Sequence, residues 1–201
     1  MEYRQIINTI KKHSSILFSN SAKTAKMQES VDVYNFIRSK YQKKELNNAF
    51  KFMFRSFYRL DNAGLSDNQK IRFFELLEKK QTDLAYILNE LYKIKTRKKK
   101  NSIQFSFASK LIHTLDNDKP IWDRQATKIL NLSQIKSGKK DKRINDAVNK
   151  YESLNTITCD LLKMEEIKDI IKKFRKVCQR TDGISDMKIL DFILWNAGNK
   201  K

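Results

Sequence analysis

Apolar residues recur every three or four positions along most of this chain, with no strand-like alternation, and that period predicts helices. Ile6, Ile7, Ile10, Ile16 and Leu17 mark a first helix over 1–18, broken by Ser19-Asn20-Ser21. Val31, Val33, Tyr34 and Ile37 mark a second over about 25–41. Phe50, Met53, Phe54 and Phe57 stand at i, i+3, i+4, i+7 in a third over 45–60, the pattern of a core stripe. Asp61-Asn62-Ala63-Gly64 offers a left-handed residue to end it, and Ser66 or Asp67 can cap a fourth helix. That helix is expected to bury Ile71, Phe73, Phe74 and Leu77. A fifth starts near Asp83 and buries Leu84, Ile87, Leu88, Leu91 and Ile94.

The stretch 101–132 reads as two helices around a turn that holds the single proline. The first, over 102–115, carries Phe105, Ala108, Leu111, Ile112 and Leu115. Asp116-Asn117-Asp118-Lys119-Pro120 makes the turn, because Pro120 biases Lys119 away from helix. The second begins at Trp122-Asp123 and buries Ala126, Ile129 and Leu130. A long helix over 144–164, with an interruption at Asn155-Thr156, and another over 165–178 follow. Ser185 or Asp186 then caps a strongly apolar last helix, closed by Ala197-Gly198. Four glycines and one proline in 201 residues leave room only for short connections. The expected fold is all-α: one compact helical domain over 1–201, two lobes around a core at about 83–132.

Charge changes the picture most. Lys and Arg number 42 against 23 Asp and Glu, a formal +19, which points to a polyanionic partner. Nucleic acid leads, because no amphipathic helix with a dedicated lipid face or lipidation signal supports a membrane partner. Charges interrupt the N-terminal apolar residues, so no signal peptide is expected, and the expected setting is cytoplasmic. Cys159 and Cys178 are too few and too far apart for zinc, and only His13 and His113 could add imidazole, so neither metal nor cofactor is expected. Six cations lie within 93–100, and 137–143 is a second basic run. Arg97, Lys98, Lys99, Lys100, Lys139 and Lys140 are therefore candidate phosphate contacts, with a solvated helix end or a mobile loop as the plain alternatives.

Chemistry has three candidate carriers. Asp123 suits an N-cap; equally, a fixed carboxylate can stabilise the positive charge that develops on a sugar as an N-glycosidic bond breaks. Trp122 beside it would be core, or would hold a base extruded from the stack. Asn101 is placed to cap the helix after it, or to hydrogen-bond a base edge or water. Lys110, one turn from Ser106, could bind phosphate, neutralise the acidic turn, or act as an amine nucleophile.

A basic helix end, a short hairpin, a helix and the Pro120-Ile121-Trp122-Asp123 lead-in together resemble the core of the helix-hairpin-helix DNA glycosylase superfamily. Within it, FYRLDNAGLS from Phe57 and FASKLIHTL…KPIWD from Phe107 are similar to compact glycosylases of bacterial phage-defence loci. The resemblance implies a hairpin between helices at about 83–97 and 102–115 and an essential carboxylate at Asp123. It also implies excision of a modified base, such as glucosylated 5-hydroxymethylcytosine in double-stranded phage DNA. Asn101 would assist, and Trp122, Lys110, Arg124 and Gln104 would line the substrate. Lys99-Lys100-Asn101-Ser102 stands where the family has a glycine-rich hairpin, so lysine side chains replace backbone amides. The position of the family's lyase lysine falls within 101–105, which holds no lysine, so the implied enzyme is monofunctional. The alternative is a non-catalytic basic helical nucleic-acid-binding protein.

Overall fold

The computed structural model describes residues 3–198, and the fold is all-α, with ten helices among the described residues. They are α1 (Tyr3–Ser19), α2 (Ser21–Gln42), α3 (Asn48–Phe57), α4 (Asp67–Glu78) and α5 (Leu84–Lys93). The remainder are α6 (Phe105–Leu115), α7 (Arg124–Ile129), α8 (Lys140–Lys163), α9 (Glu165–Val177) and α10 (Asp186–Gly198). None of these helices is long and apolar enough to cross a membrane. The chain divides into two compact units: the first takes in residues up to Asp32, 117–134 and those from Tyr151, the second 33–116 and 135–150. The division falls within α2 and within α8.

In the first unit α10 is the central element. It is apolar nearly all round, as buried helices are, and packs against α1, α7 and α9. The Ser185 hydroxyl accepts the Lys188 N–H at 3.2 Å and caps its start. Gly198 lets its end approach α7, because a Cβ there would lie 2.4 Å from the Gln125 carbonyl oxygen. α9 buries Ile167, Ile171 and Phe174 on one stripe. The Arg175 guanidinium then pins the α9–α10 turn by donating to the Thr181 and Ile184 carbonyls at 2.8 Å each and to the Asp186 carboxylate at 2.7 Å. α8 runs without the interruption expected at Asn155-Thr156 and starts at Lys140, before the expected 144. Inside it the Thr158 hydroxyl is absorbed by the Leu154 carbonyl at 2.8 Å.

The core of the second unit is aromatic. Phe50 and Phe54 of α3 meet Phe73 and Phe74 of α4 with ring centroids 5.4 to 6.2 Å apart, several of them edge-on. Such pairs add about 0.5–1.5 kcal/mol each beyond burial. α3 begins later than expected because Asn47 accepts the Phe50 N–H at 3.1 Å and caps it. It also ends earlier: Arg59, at φ +56, takes the left-handed position expected of Gly64, and the Leu60 N–H returns to the Arg55 carbonyl at 2.9 Å. Ile71, expected in the core, is 58% exposed, because Phe73, Phe74, Leu76 and Leu77 already fill the inner face of α4.

Candidate nucleic-acid interface

α5 stops at Lys93 and α6 starts only at Phe105, so residues 94–104 form a long connection where a short hairpin was expected. This connection is tied down along its length. The Gln69 side chain, fully buried, donates to the Leu91 carbonyl at 3.1 Å and the Ile94 carbonyl at 2.9 Å, closing the end of α5. The Ser66 hydroxyl donates to the Lys95 carbonyl at 2.8 Å, and the Arg97 N–H donates to the Gly64 carbonyl at 3.0 Å. Gly64 sits at φ +80, a conformation that glycine adopts without strain. A tight turn follows, in which Thr96 N–H and hydroxyl both reach the Lys100 carbonyl at 2.9 Å and Lys99 takes φ +56. The basic run is thus presented by a fixed loop, and Arg97 to Lys100 are all exposed on it.

The second basic run joins the first through Tyr92. Asn101 donates its side-chain N–H to the Tyr92 carbonyl at 2.6 Å, and the Lys140 ammonium, in the first turn of α8, lies 5.7 Å from the Tyr92 ring centre. Two segments more than thirty residues apart in sequence therefore converge on one half-buried tyrosine. Many acidic side chains of this unit are held in ion pairs, while Asp141 lies within the second basic run and Asp146 accepts the Lys136 N–H at 2.8 Å. Asp61 pairs with Arg55 and Lys70, Asp67 with Lys70, Glu75 with Arg72, Glu78 with Lys51, and Glu90 with Arg72 and Lys93. The Lys70 ammonium hydrogen-bonded to Asp61 holds that carboxyl below the usual range, and Lys93 with Arg72 does the same for Glu90. Among the described residues, Lys95, Lys98, Lys99, Lys100, Lys136, Lys139, Lys140 and Lys142 stand in no salt bridge. The second unit holds 24 Lys and Arg against 10 Asp and Glu, the first 18 against 13, so +14 of the formal +19 falls on the second.

The residues expected to carry chemistry are placed less favourably. Asp123, in the first unit, is the N-cap of α7: one carboxylate oxygen accepts the Gln125 N–H at 2.8 Å. Arg124 beside it is exposed. Trp122 is 3% exposed and belongs to the core, so it presents no face for a base to stack on. Asn101, in the second unit, does not cap α6; it serves the C-terminal end of α5 through Tyr92. Gln104 takes the position before α6 without a side-chain cap bond and is 7% exposed, which removes it from a solvent-facing substrate wall. Lys110 is 8% exposed, contrary to a surface phosphate contact. Its ammonium donates to the Ser106 hydroxyl at 3.1 Å and lies 4.9 Å from the Phe107 ring centre and 5.7 Å from that of Tyr58. Arg97 is exposed, but its guanidinium also donates to the Asp61 carbonyl.

Sequence reasoning missed Tyr92, Gln69 and the pairing of buried Lys188 with part-buried Asp191 in α10, joined at 2.7 Å. The spacing Ser66-x-x-Gln69 was a legible capping-box signal, and the box forms. The other two bonds of Gln69 reach residues more than twenty positions away and leave no local trace. Comparison with protein-family models, curated proteins and solved structures finds no match.

Proposed function

We propose that the protein binds nucleic acid through the basic face of its second unit, with Lys98, Lys99 and Lys100 on one side of Tyr92 and Lys139 and Lys140 on the other. The observation that carries this reading is the convergence on Tyr92 of two basic runs whose Lys98, Lys99, Lys100, Lys139 and Lys140 stand in no salt bridge among the described residues. Lysines held by a fixed loop lose less conformational freedom on binding phosphate than lysines on a mobile tail. Each neutralised phosphate contributes a slope of about −0.9 in log affinity against log salt. The test is fluorescence anisotropy of a labelled DNA across a salt series, for the wild-type chain, K98E/K99E/K100E and K139E/K140E. Binding that tightens with falling salt, with a shallower salt slope in both variants and no loss of helical circular dichroism, supports the reading. Binding unchanged in both variants rejects this face.

Base excision at Asp123 is the second reading. It is favoured by a part-exposed carboxylate held in one orientation by the Gln125 N–H at the start of α7. The buried Trp122 and Gln104 and the engaged Asn101 weigh against it. Incubation with phage DNA carrying glucosylated 5-hydroxymethylcytosine, scored for abasic sites, decides it. Abasic sites that Asp123→Asn abolishes while DNA binding persists establish excision. None from the wild type on modified or plain DNA leaves Asp123 as a cap.

A further inference from the structure

Resting on the nucleic-acid reading, we infer that the basic face takes double-stranded DNA by its phosphate backbone alone, blind to base sequence and poor at holding a single strand. The chemistry of the side chains on the face carries this. Of the cations in 93–100 and 136–143, all but Arg97 and Arg143 are lysines. An ammonium is a compact point charge that neutralises a phosphate from many directions; it can reach guanine O6 and N7, but it lacks the planar fork with which arginine holds that edge in one geometry. Each of the two arginines has part of its guanidinium taken up by the protein. Arg97 donates its guanidinium to the Asp61 carbonyl, and the Nε of Arg143 is enclosed by protein.

Single-strand binding fails on a separate count. Proteins that hold an unpaired strand without regard to sequence combine a basic track with aromatic faces on which successive bases stack. Neither basic run contains an aromatic residue. Tyr92, where they meet, is half-buried, and Lys140 lies over its ring. Asn101, an amide at the junction suited to an adenine edge, already donates to the Tyr92 carbonyl. The nearest well-exposed aromatic of α5 is Tyr86, 44% exposed and seven residues back from Lys93, about 10 Å along the helix axis. A duplex, with twice the phosphate density of one strand along its axis, is the ligand that unaided lysines favour.

The experiment measures affinity and salt slope for two duplexes of unrelated sequence and equal length and for an oligothymidine strand of that length, with the wild-type chain and Tyr86→Ala. The expected result is duplex affinities within about twofold of each other, near-equal salt slopes close to 0.9 per contact, and a weaker, shallower curve for the single strand. Tyr86→Ala should change none of them by more than about twofold. A tenfold preference between the duplexes, tighter binding of the single strand, or a loss in Tyr86→Ala confined to the single strand would overturn this inference and leave the nucleic-acid reading standing. Absence of salt-dependent binding to all three overturns both.

Discussion

Gln69 offers the sharpest test of how the basic loop is held. Its side chain accepts the Ser66 N–H at 3.2 Å and donates to the Leu91 and Ile94 carbonyls at 3.1 and 2.9 Å, while fully buried. Gln69→Leu keeps much of the volume and leaves three backbone groups without that partner. A buried polar group stripped of its bond costs about 1–3 kcal/mol. The Leu91 bond is buried and the other two part-buried, so the lower end applies to those, and the loss should be about 3–5 kcal/mol. Gln69→Glu is the companion: its carboxylate can still accept from Ser66 but faces two carbonyls with no proton to give, so it should be at least as destabilising at neutral pH. Urea unfolding with an unchanged slope measures the loss. Native-state hydrogen exchange locates it, through the Thr96, Arg97 and Lys99 amides that close the loop. A loss below about 1 kcal/mol, or exchange at those three amides unaltered, would refute the idea that Gln69 fastens the loop.

Two glycines should respond unequally. Gly198→Ala forces a Cβ against the Gln125 carbonyl and should cost about 1–3 kcal/mol, whereas Gly64→Ala meets open space and bears only left-handed strain, about 1 kcal/mol; thermal unfolding of the two variants checks the order. Burial pushes the Cys178 thiol up to about 11, so in native protein a thiol reagent at mildly alkaline pH should label the half-exposed Cys159 well before Cys178, as read by mass spectrometry. Asp61, Asp67 and Glu90 are held below their ordinary values by Lys70, Lys93 and Arg72. Their contribution is therefore present above about pH 4, where unfolded carboxyls ionise, and is lost as pH falls further. Unfolding midpoints taken from about pH 5 to pH 3 should fall, and less steeply in Asp61→Asn.

What the sequence determined was the class of fold and the sign of the protein's own charge. Helical periodicity placed nearly every helix, since apolar spacing at Ile6, Ile10, Phe50, Phe54, Leu84 and Leu88 is a local property that packing then used. Caps at Ser66 and Asp123 were legible for the same reason: a side chain that bonds a backbone N–H two or three residues on needs no tertiary partner. The excess of lysine and arginine was likewise visible, and so were the two runs that concentrate it. Tertiary structure alone decided what those residues could be used for. Burial took Trp122, Gln104 and Lys110 out of reach of a ligand, and no local pattern separates a buried tryptophan from one that faces a pocket. Arg59 ended α3 in place of Gly64, freeing Gly64 to accept the Arg97 N–H from a loop thirty residues on. Tyr92 gathered Asn101 and Lys140 from opposite sides of α6 and α7 in the sequence, so the two charge runs meet at one residue. Bonds over such separations depend on where the helices pack, and their positions are written in the fold, with no mark in the neighbouring residues.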